Sequence, residues 1–232
     1  MSTFFTKILL LLIIPVSVFS QKNVVSTDSV VQKQKFGLRV GLDLNKLINS
    51  SINNNYDGFE LNADYRISNK LYIASEIGLI ENTEDEEYLN FTSKGTYIKS
   101  GIDYNMYTNW LDMQNMIFAG LRIGYSDFDQ IINNYTIYDT NNQTWGQSFI
   151  GIPIKNEDLS SLWLELIIGV KAEIFNNLFL GFNLEVKRMI NSEIKNNIQN
   201  MYVPGFNRTF DRSSFGVGFG YKLSYLLPIV KK

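Results

Sequence analysis

The 232-residue chain contains no cysteine and no histidine. It therefore has no disulfide bond, no thiolate nucleophile, no His-based general base and no tetrahedral zinc site of the usual type. We expect no cofactor, no metal centre and no enzymatic activity, and carboxylates are the only catalytic groups left open. The 21 Lys and Arg nearly balance the 23 Asp and Glu, which argues against a nucleic-acid partner.

Proline is also scarce, with 4 residues, whereas aromatic residues make up 14% of the chain and glycine contributes 16 residues. This composition favours strands over helices because aromatic side chains fit a pleated sheet well.

The N-terminus has the pattern of an export signal. Lys7 precedes an apolar run from Ile8 to Val18, and a processing site follows at Ser20. The run is shorter than the roughly 20 residues that a spanning helix needs, which favours cleavage over an anchor. We predict a signal peptide over residues 1–20, a polar leader over 21–35 and one β-barrel domain over 36–232.

After residue 35, apolar residues recur at every second position, which is the period of a strand. In the first segment, for example, Leu38 and Val40 alternate with Arg39 and Gly41. The same alternation predicts eight strands, over residues 36–44, 59–67, 71–80, 98–106, 117–125, 162–174, 178–187 and 215–225.

The connections between these segments alternate in length. The short ones are Ser68–Lys70 and Asn176–Asn177, with the somewhat longer Tyr107–Asn115 on the same side, and the long ones on the other side are Asn45–Asp57, Glu81–Ser93, Asp127–Ser161 and Asn191–Ser213. A membrane barrel explains this asymmetry because its two ends face different compartments. We predict an all-β fold, an eight-stranded antiparallel up-and-down transmembrane β-barrel with a polar, plugged interior.

Each segment has about ten residues, so a strand tilted by about 40° would span about 25 Å, the height of an apolar band in an outer membrane. The apolar face would contact lipid, and the face of glycine and ions would line the interior. The alternative is a soluble sheet with its apolar face inward. Aromatic residues near strand ends would form two interfacial girdles: Phe36, Tyr65, Tyr104, Trp110, Tyr125, Phe175, Phe215 and Tyr225.

Charged residues on the inward faces are predicted to form a cross-strand network, because isolated charges in a narrow interior would be costly. The predicted members are Arg39, Asp43, Glu60, Asp64, Arg66, Glu76, Lys99, Asp103, Arg122, Glu165, Lys171, Glu173, Glu185, Lys187 and Lys222. The network would fill the interior, and a proton or small-ion path along it is the alternative.

Four stretches, Phe36–Leu44, Asp103–Tyr107, Lys171–Phe182 and Tyr202–Phe210, resemble an uncharacterised outer-membrane β-barrel family of Bacteroidota that is similar to PorT-like barrels. The resemblance covers most of the chain after residue 35. It implies an outer-membrane location and a barrel, brings no catalytic residues, and implies a link to protein secretion through the PorT-like proteins.

We therefore predict an exported outer-membrane barrel of structural or interaction type. Its partners would be the surrounding outer-membrane lipid and a protein bound through the long loops, with Asp127–Ser161 and Tyr202–Phe210 as the contact surfaces. The alternatives are a narrow channel, transporter or secretion component, and a soluble periplasmic lipid-binding barrel.

Overall fold

The computed structural model describes residues 35–107, 114–137, 148–210 and 212–231. The predicted signal peptide, nearly all of the leader, and Trp110 lie outside these ranges. The strands are β1 Lys35–Asp43, β2 Tyr56–Arg66, β3 Leu71–Glu86, β4 Leu89–Asn105, β5 Met116–Ile137, β6 Ser148–Ile150, β7 Ile154–Phe175, β8 Leu178–Ser192, β9 Tyr202–Val203, β10 Asn207–Arg208 and β11 Phe215–Lys231. Helix α1 spans Leu44–Ile52.

Eight long strands form a closed ring. They pair antiparallel in the order β1, β2, β3, β4, β5, β7, β8 and β11, and β11 returns to pair with β1. Apart from the short additions β6, β9 and β10, each strand pairs with its neighbours in the chain. The eight strands and their up-and-down order are therefore confirmed. Closure pairs the edges that an open sheet would leave exposed.

The short connections lie together at one end of the ring. Ser68–Lys70 joins β2 to β3, and Asn176–Asn177 joins β7 to β8. Asn177 has a φ of 65°, a left-handed conformation that asparagine tolerates better than most residues. These turns match the sequence-based prediction, and we refer to this end as the turn end.

The prediction of long loops at Glu81–Ser93 and Asp127–Ser161 is wrong, because most of the first range and much of the second are strand. β3 and β4 continue to a turn at Glu87–Tyr88, and β5 and β7 continue beside them. These extensions rise beyond the other four strands. We call them the β-wall, residues 81–94, 127–137 and 148–160. Their ladder continues because inward apolar residues such as Phe91 and Phe128 are buried there.

Helix α1 occupies part of Asn45–Asp57, which was predicted as a loop, and Leu44, predicted to lie in the first strand, begins the helix. Asp43 caps it, since its side chain accepts a hydrogen bond from the backbone N–H of Lys46 at 3.2 Å. In the described part of the chain, no helix has the length and apolar character needed to cross a membrane.

The connection between β8 and β11 folds back over the interior of the ring. We call residues 199–209 the plug segment, and its residues Tyr202–Phe206 are buried. The hydroxyl of Ser93 donates to the Tyr202 carbonyl at 2.8 Å, and the backbone N–H of Met201 donates to the Gln130 side chain at 2.7 Å. The prediction that Tyr202–Phe210 forms a contact loop is therefore wrong for its buried part, whereas Phe210 is exposed.

Candidate functional site

The outer face of the ring carries a continuous apolar band. Its members are about half exposed and include Leu61, Ile73, Ile77, Leu79, Ile98, Ile102, Leu121, Ile123, Leu164, Leu166, Ile168, Val170, Leu180, Leu184, Val186, Val217, Phe219 and Leu227. The predicted orientation of the strands is thus confirmed. The alternative of a soluble lipid-binding barrel with its apolar face inward is wrong, because ions occupy the interior at this height.

A polar row ends the band on the side away from the turn end. Asp57 of β2 lies opposite Glu81 of β3, and Glu81 lies opposite Lys94 of β4. The Lys94 ammonium pairs with the Glu81 carboxylate at 2.7 Å. Asp127 on β5 and Arg188 on β8 continue the change to polar residues around the ring. The band thus has a defined upper boundary.

Aromatic residues lie near both boundaries. Tyr65, Tyr104, Phe175 and Tyr225 are exposed near the turn end, and Tyr125 and Phe215 are exposed near the polar row. Phe36, also predicted for a girdle, is half-buried with its ring 4.9 Å from the Arg66 guanidinium carbon. Most of the predicted girdle is therefore found on the outer face.

The inner face has an ionic group in the half nearer the turn end. Arg39 pairs with Asp64 at 2.9 Å, and Lys171 pairs with the other oxygen of Asp64 at 2.7 Å. Arg122 pairs with Asp103 at 2.6 Å, and Lys171 lies 3.9 Å from Asp103. Lys171 therefore joins the two Arg–Asp pairs into one chain across the ring.

A second ionic group surrounds Lys99, which is 1% exposed. Its ammonium lies 2.8 Å from Glu76, 3.5 Å from Glu165 and 3.8 Å from Glu185. One oxygen from each of these carboxylates lies within 4.8 Å of the others, a spacing that would suit a metal ion. Because the Lys99 ammonium lies among these oxygens, the protein supplies its own cation there.

Two more lysines of this group pair with the same carboxylates. Lys187 lies 2.9 Å from Glu185 and 3.8 Å from Glu165, and Lys222 pairs with Glu76. Lys222 also lies 3.6 Å from Glu60. Each carboxylate around Lys99 therefore has a second cation.

Lys46 of α1 belongs to this group although sequence reasoning placed it in an outer loop. Its ammonium pairs with Glu60 at 2.8 Å and lies 3.7 Å from Asp43. The Tyr97 hydroxyl donates to Glu60, which is a second contact that the sequence did not reveal. The sequence contained one indication that Lys46 lies in a helix: Asp43, three residues before it, is a good N-cap residue.

Arg66 and Glu173 lie at the turn end. The guanidinium of Arg66 donates to the Asn69 carbonyl at 2.7 Å, and the Glu173 carboxylate accepts from the backbone N–H groups of Gln114 and Asn177, each at 2.9 Å. Both residues therefore stabilise connections at this end of the ring.

Above the ions the interior becomes apolar, which differs there from the predicted polar interior. The buried cluster there contains Ile80, Phe91, Tyr97, Phe128, Ile132, Leu159, Trp163, Tyr202, Val203 and Phe206. Trp163 and Phe206 pack edge to face with their ring centroids 6.0 Å apart. The plug segment thus completes a hydrophobic layer over the ionic groups.

Little space is left between the ions. A cavity of about 20 Å³, lined by Asp103, Arg122 and Lys222 among others, lies between the two ionic groups. This volume suits about one water molecule. In the described part of the ring, the ionic groups are therefore closely packed around this small cavity.

Two titratable groups near the plug segment lie outside the strands of the band. Burial favours the neutral amine of Lys46, but the carboxylates of Glu60 and Asp43 outweigh it and raise the Lys46 pKa. Burial raises the pKa of the Tyr202 phenol. Lys46 is therefore charged and Tyr202 neutral over the ordinary pH range.

The ion pairs described above join seven cations to seven carboxylates. The network is therefore neutral, and its members are nearly all hidden from solvent. These pairs link strands across the ring, as between Asp64 on β2 and Lys171 on β7, so the network can hold the strands in register.

Comparisons with known proteins give one family and two distant structures. The attachment invasion locus protein Ail of Yersinia pestis is 10% identical, with 83% of this chain and 97% of that chain covered and a TM-score of 0.41. Neisserial surface protein A is 13% identical, with 84% and 99% covered and a TM-score of 0.41. No curated protein matches the sequence. Residues 1–232 match the family described as a domain of unknown function, DUF6048, and the chain belongs to this family.

Proposed function

We propose that this member of the DUF6048 family is a sealed transmembrane β-barrel of an outer membrane, with a structural or interaction role and without catalysis or conduction. In this proposal the apolar band contacts lipid, and the β-wall stands in water outside the bilayer. A link to protein secretion, which the resemblance to PorT-like barrels implies, stays a prediction.

The observation that carries the proposal is the reversal of the two faces along a single strand. On β5, Arg122 is buried and Ile123 is exposed, whereas six residues later Phe128 is buried and Asp129 is exposed. A soluble sheet keeps its apolar face inward along its whole length. A strand that leaves lipid and enters water must instead exchange its faces at the boundary, as β5 does.

The height of the band fits a bilayer. On β5 the outward apolar residues run from Ile117 to Tyr125, and polar Asp127 follows. With about 3.4 Å per residue and a tilt of about 40°, this stretch rises roughly 20 Å, close to the apolar belt of about 25 Å in outer-membrane barrels.

The interior argues against the alternative of a channel or transporter. The ionic groups fill the middle of the ring, and Trp163, Tyr202 and Phe206 form part of the apolar layer above them. An eight-stranded ring has an interior just wide enough for side chains, and the described residues fill it at these two heights, which favours a sealed ring.

The β-wall is the surface that we assign to a protein partner. Its outward face is polar at Glu81, Thr83, Asp127 and Asp129, whereas Ile137, Phe149 and Ile152 are exposed apolar residues of the wall. Side chains of the connection between β8 and β11 contact both outer strands of the wall, because Arg208 pairs with Glu86 on β3 at 2.7 Å and the Lys195 ammonium donates to the Asp158 carbonyl on β7 at 3.0 Å. In this proposal a partner contacts the outer face or the tip of the wall.

Spin labels on single cysteines test the membrane assignment, since the chain has no cysteine of its own. We would label Ile77→Cys and Ile123→Cys in the band, with Thr83→Cys and Asp129→Cys as controls on the same strands and faces. In vesicles, the band sites should be accessible to oxygen and the control sites to a water-soluble nickel complex. Access of nickel to both band sites would show that the band is not in lipid.

Two further measurements address folding and conduction. The folded chain should fractionate with outer membranes and migrate faster on a gel when unboiled than when boiled. In planar bilayers it should give no discrete conductance. Steady conductance that changes when Arg122 or Glu165 is neutralised would contradict the sealed interior and support the channel alternative.

A further inference from the structure

An open groove lies where β8 ends beside the plug segment. Its volume is about 440 Å³, within the range of roughly 300–1,000 Å³ that is usual for ligand sites. Met189 and Phe206 line its inner part and contact the apolar layer inside the ring. Ile190, Ile194 and Phe210 line its outer part and are each more than half exposed. The other residues that line it are polar: Asn191, Ser192, Gln199, Asn200, Thr209, Arg212, Ser213 and Ser214. The groove therefore combines apolar and polar walls and is open to the surroundings.

The groove adjoins the membrane-facing band. β8 and β11 have no extension like the β-wall, so on this side the mouth of the ring lies close to the upper boundary of the band. Phe215 of β11 pairs with Arg188 of β8 at that boundary, and Ile190 follows two residues later. The exposed apolar surface consequently continues from Val217 in the band into the groove.

Arg212 provides positive charge in the groove, and Arg188 lies beside it on β8, one residue before the lining residue Met189. Arg212 lines the groove, and the guanidinium of Arg188 lies 5.8 Å from the centre of the Phe215 ring. Within the described ranges, neither forms an ion pair with a carboxylate. By contrast, Arg208 in the same connection pairs with Glu86 at 2.7 Å and lies 3.9 Å from Glu84. The charges of Arg188 and Arg212 are thus available to an external anion.

We propose that this groove binds a membrane lipid with an anionic phosphate headgroup, its acyl chain lying against Ile190, Ile194 and Phe210 and its phosphate between Arg188 and Arg212. The inference rests on the proposed membrane location. Arginine suits phosphate because its planar guanidinium donates two hydrogen bonds in parallel. The apolar wall suits a chain that can enter directly from the neighbouring lipid layer.

Native mass spectrometry of the detergent-solubilised full chain tests the proposal with dimyristoyl phosphatidylglycerol and dimyristoyl phosphatidylcholine, which share their acyl chains. The wild type should prefer the anionic lipid. A basic residue near a membrane surface contributes about 1 kcal/mol, so Arg212→Gln should weaken binding of the anionic lipid about fivefold. Adding Arg188→Gln should lower the affinity for the anionic lipid to nearly that for phosphatidylcholine. Arg208→Gln is the matched control and should change nothing.

The apolar part is tested separately. Ile194→Ser should weaken both lipids alike, and glycerol phosphate, the headgroup without chains, should not displace bound lipid. Equal binding of the two lipids by the wild type, or unchanged preference in the double arginine variant, would overturn the proposal. Displacement by glycerol phosphate would replace the lipid by a free phosphate ligand and overturn it too.

The membrane location and the lipid site fail in different ways. If the chain inserts into vesicles and shows the heat-dependent gel shift but has no lipid preference, only the lipid site is wrong. If it neither inserts nor shifts on the gel, the membrane proposal is wrong and the lipid site falls with it. Each variant is scored only after its gel shift shows that it has folded.

Discussion

Replacement of Lys99 by methionine is the sharpest test of the ionic network. Lys99→Met keeps most of the side-chain volume but removes the ammonium that lies 2.8 Å from Glu76, 3.5 Å from Glu165 and 3.8 Å from Glu185. The remaining cluster has one excess negative charge, and its carboxylates are buried. Loss of one partner from a buried ionic group costs about 3–5 kcal/mol.

We expect the lower part of that range, about 3 kcal/mol, because other cations stay in place. Lys222 still pairs with Glu76, and Lys187 still lies 2.9 Å from Glu185. Among the described residues, Glu165 keeps Lys187 at 3.8 Å and the Trp163 indole N–H at 3.3 Å, so it is left the least compensated. A second change, Glu165→Gln, removes the excess charge and should recover about 1–3 kcal/mol.

The assay is reversible urea unfolding in detergent micelles or vesicles, followed by tryptophan fluorescence and by the gel shift of the folded band. Lys94→Met is the control, since Lys94 forms its ion pair with Glu81 on the exposed surface. Such pairs contribute little, and this variant should behave as wild type. The buried network does not stabilise the fold as argued if Lys99→Met and Lys94→Met unfold at the same urea concentration. The same conclusion follows if adding Glu165→Gln to Lys99→Met lowers the stability further.

Two other substitutions probe the plug segment and the band. Gly205 has a φ of 83°, and an added Cβ would lie 2.6 Å from the Tyr97 ring, so Gly205→Ala should lower the free energy of unfolding in urea by about 1–3 kcal/mol. Gly181→Ala is the control and should not destabilise the fold, because its Cβ would make ordinary contacts. Equal urea midpoints for the two variants would contradict the plug geometry. In vesicles, Ile77→Arg should lower the free energy of unfolding by about 2–4 kcal/mol. Thr83→Arg, on the same face above the band, should lower it by about 0–1 kcal/mol. Equal losses would argue against a bilayer around Ile77.

The eight strands and the side of each charge could be predicted because alternation is a local property. Once Leu38 and Val40 are assigned to one face, the geometry of a strand puts Arg39 on the other. The same reasoning placed Lys99 and Arg122 inside, and the structure buries both. The partners of each charge were beyond local reasoning, since Lys171 finds Asp64 across the ring.

The β-wall escaped prediction because its alternation is the reverse of that in the band. A search for an outward apolar face stops at Tyr125, since Asp127 and Asp129 come next on that face. The inward face turns apolar at Phe128, and the strand continues with the roles of its faces exchanged. Recognising this requires a guess about where lipid ends, which the alternation by itself does not contain.

The plug segment and Lys46 depended on contacts between distant parts of the chain. Residues 201–206 form a largely apolar run between polar flanks, which signals burial somewhere but does not say where. Their place is set by Ser93, Gln130 and Trp163, which lie on three other strands. No periodicity within residues 199–209 carries that information.

The position of the strand irregularities suggests what the ionic network is for. Along the described strands of the ring, register shifts occur at Phe36/Gly37, Asn90/Phe91, Phe128/Gln130, Leu162/Trp163 and Glu173/Phe175. All of them lie at a boundary of the band or in the β-wall. In the proposed membrane location, a slip of one residue inside the band would move Arg122 or Lys99 into lipid and an apolar residue among carboxylates, at about 2–4 kcal/mol for each basic residue at the bilayer centre. In the β-wall the same slip would exchange polar for apolar residues at a water boundary and would cost less. We therefore infer that the ions specify the pairing of the strands within the band, and that the irregularities occur where that constraint ends.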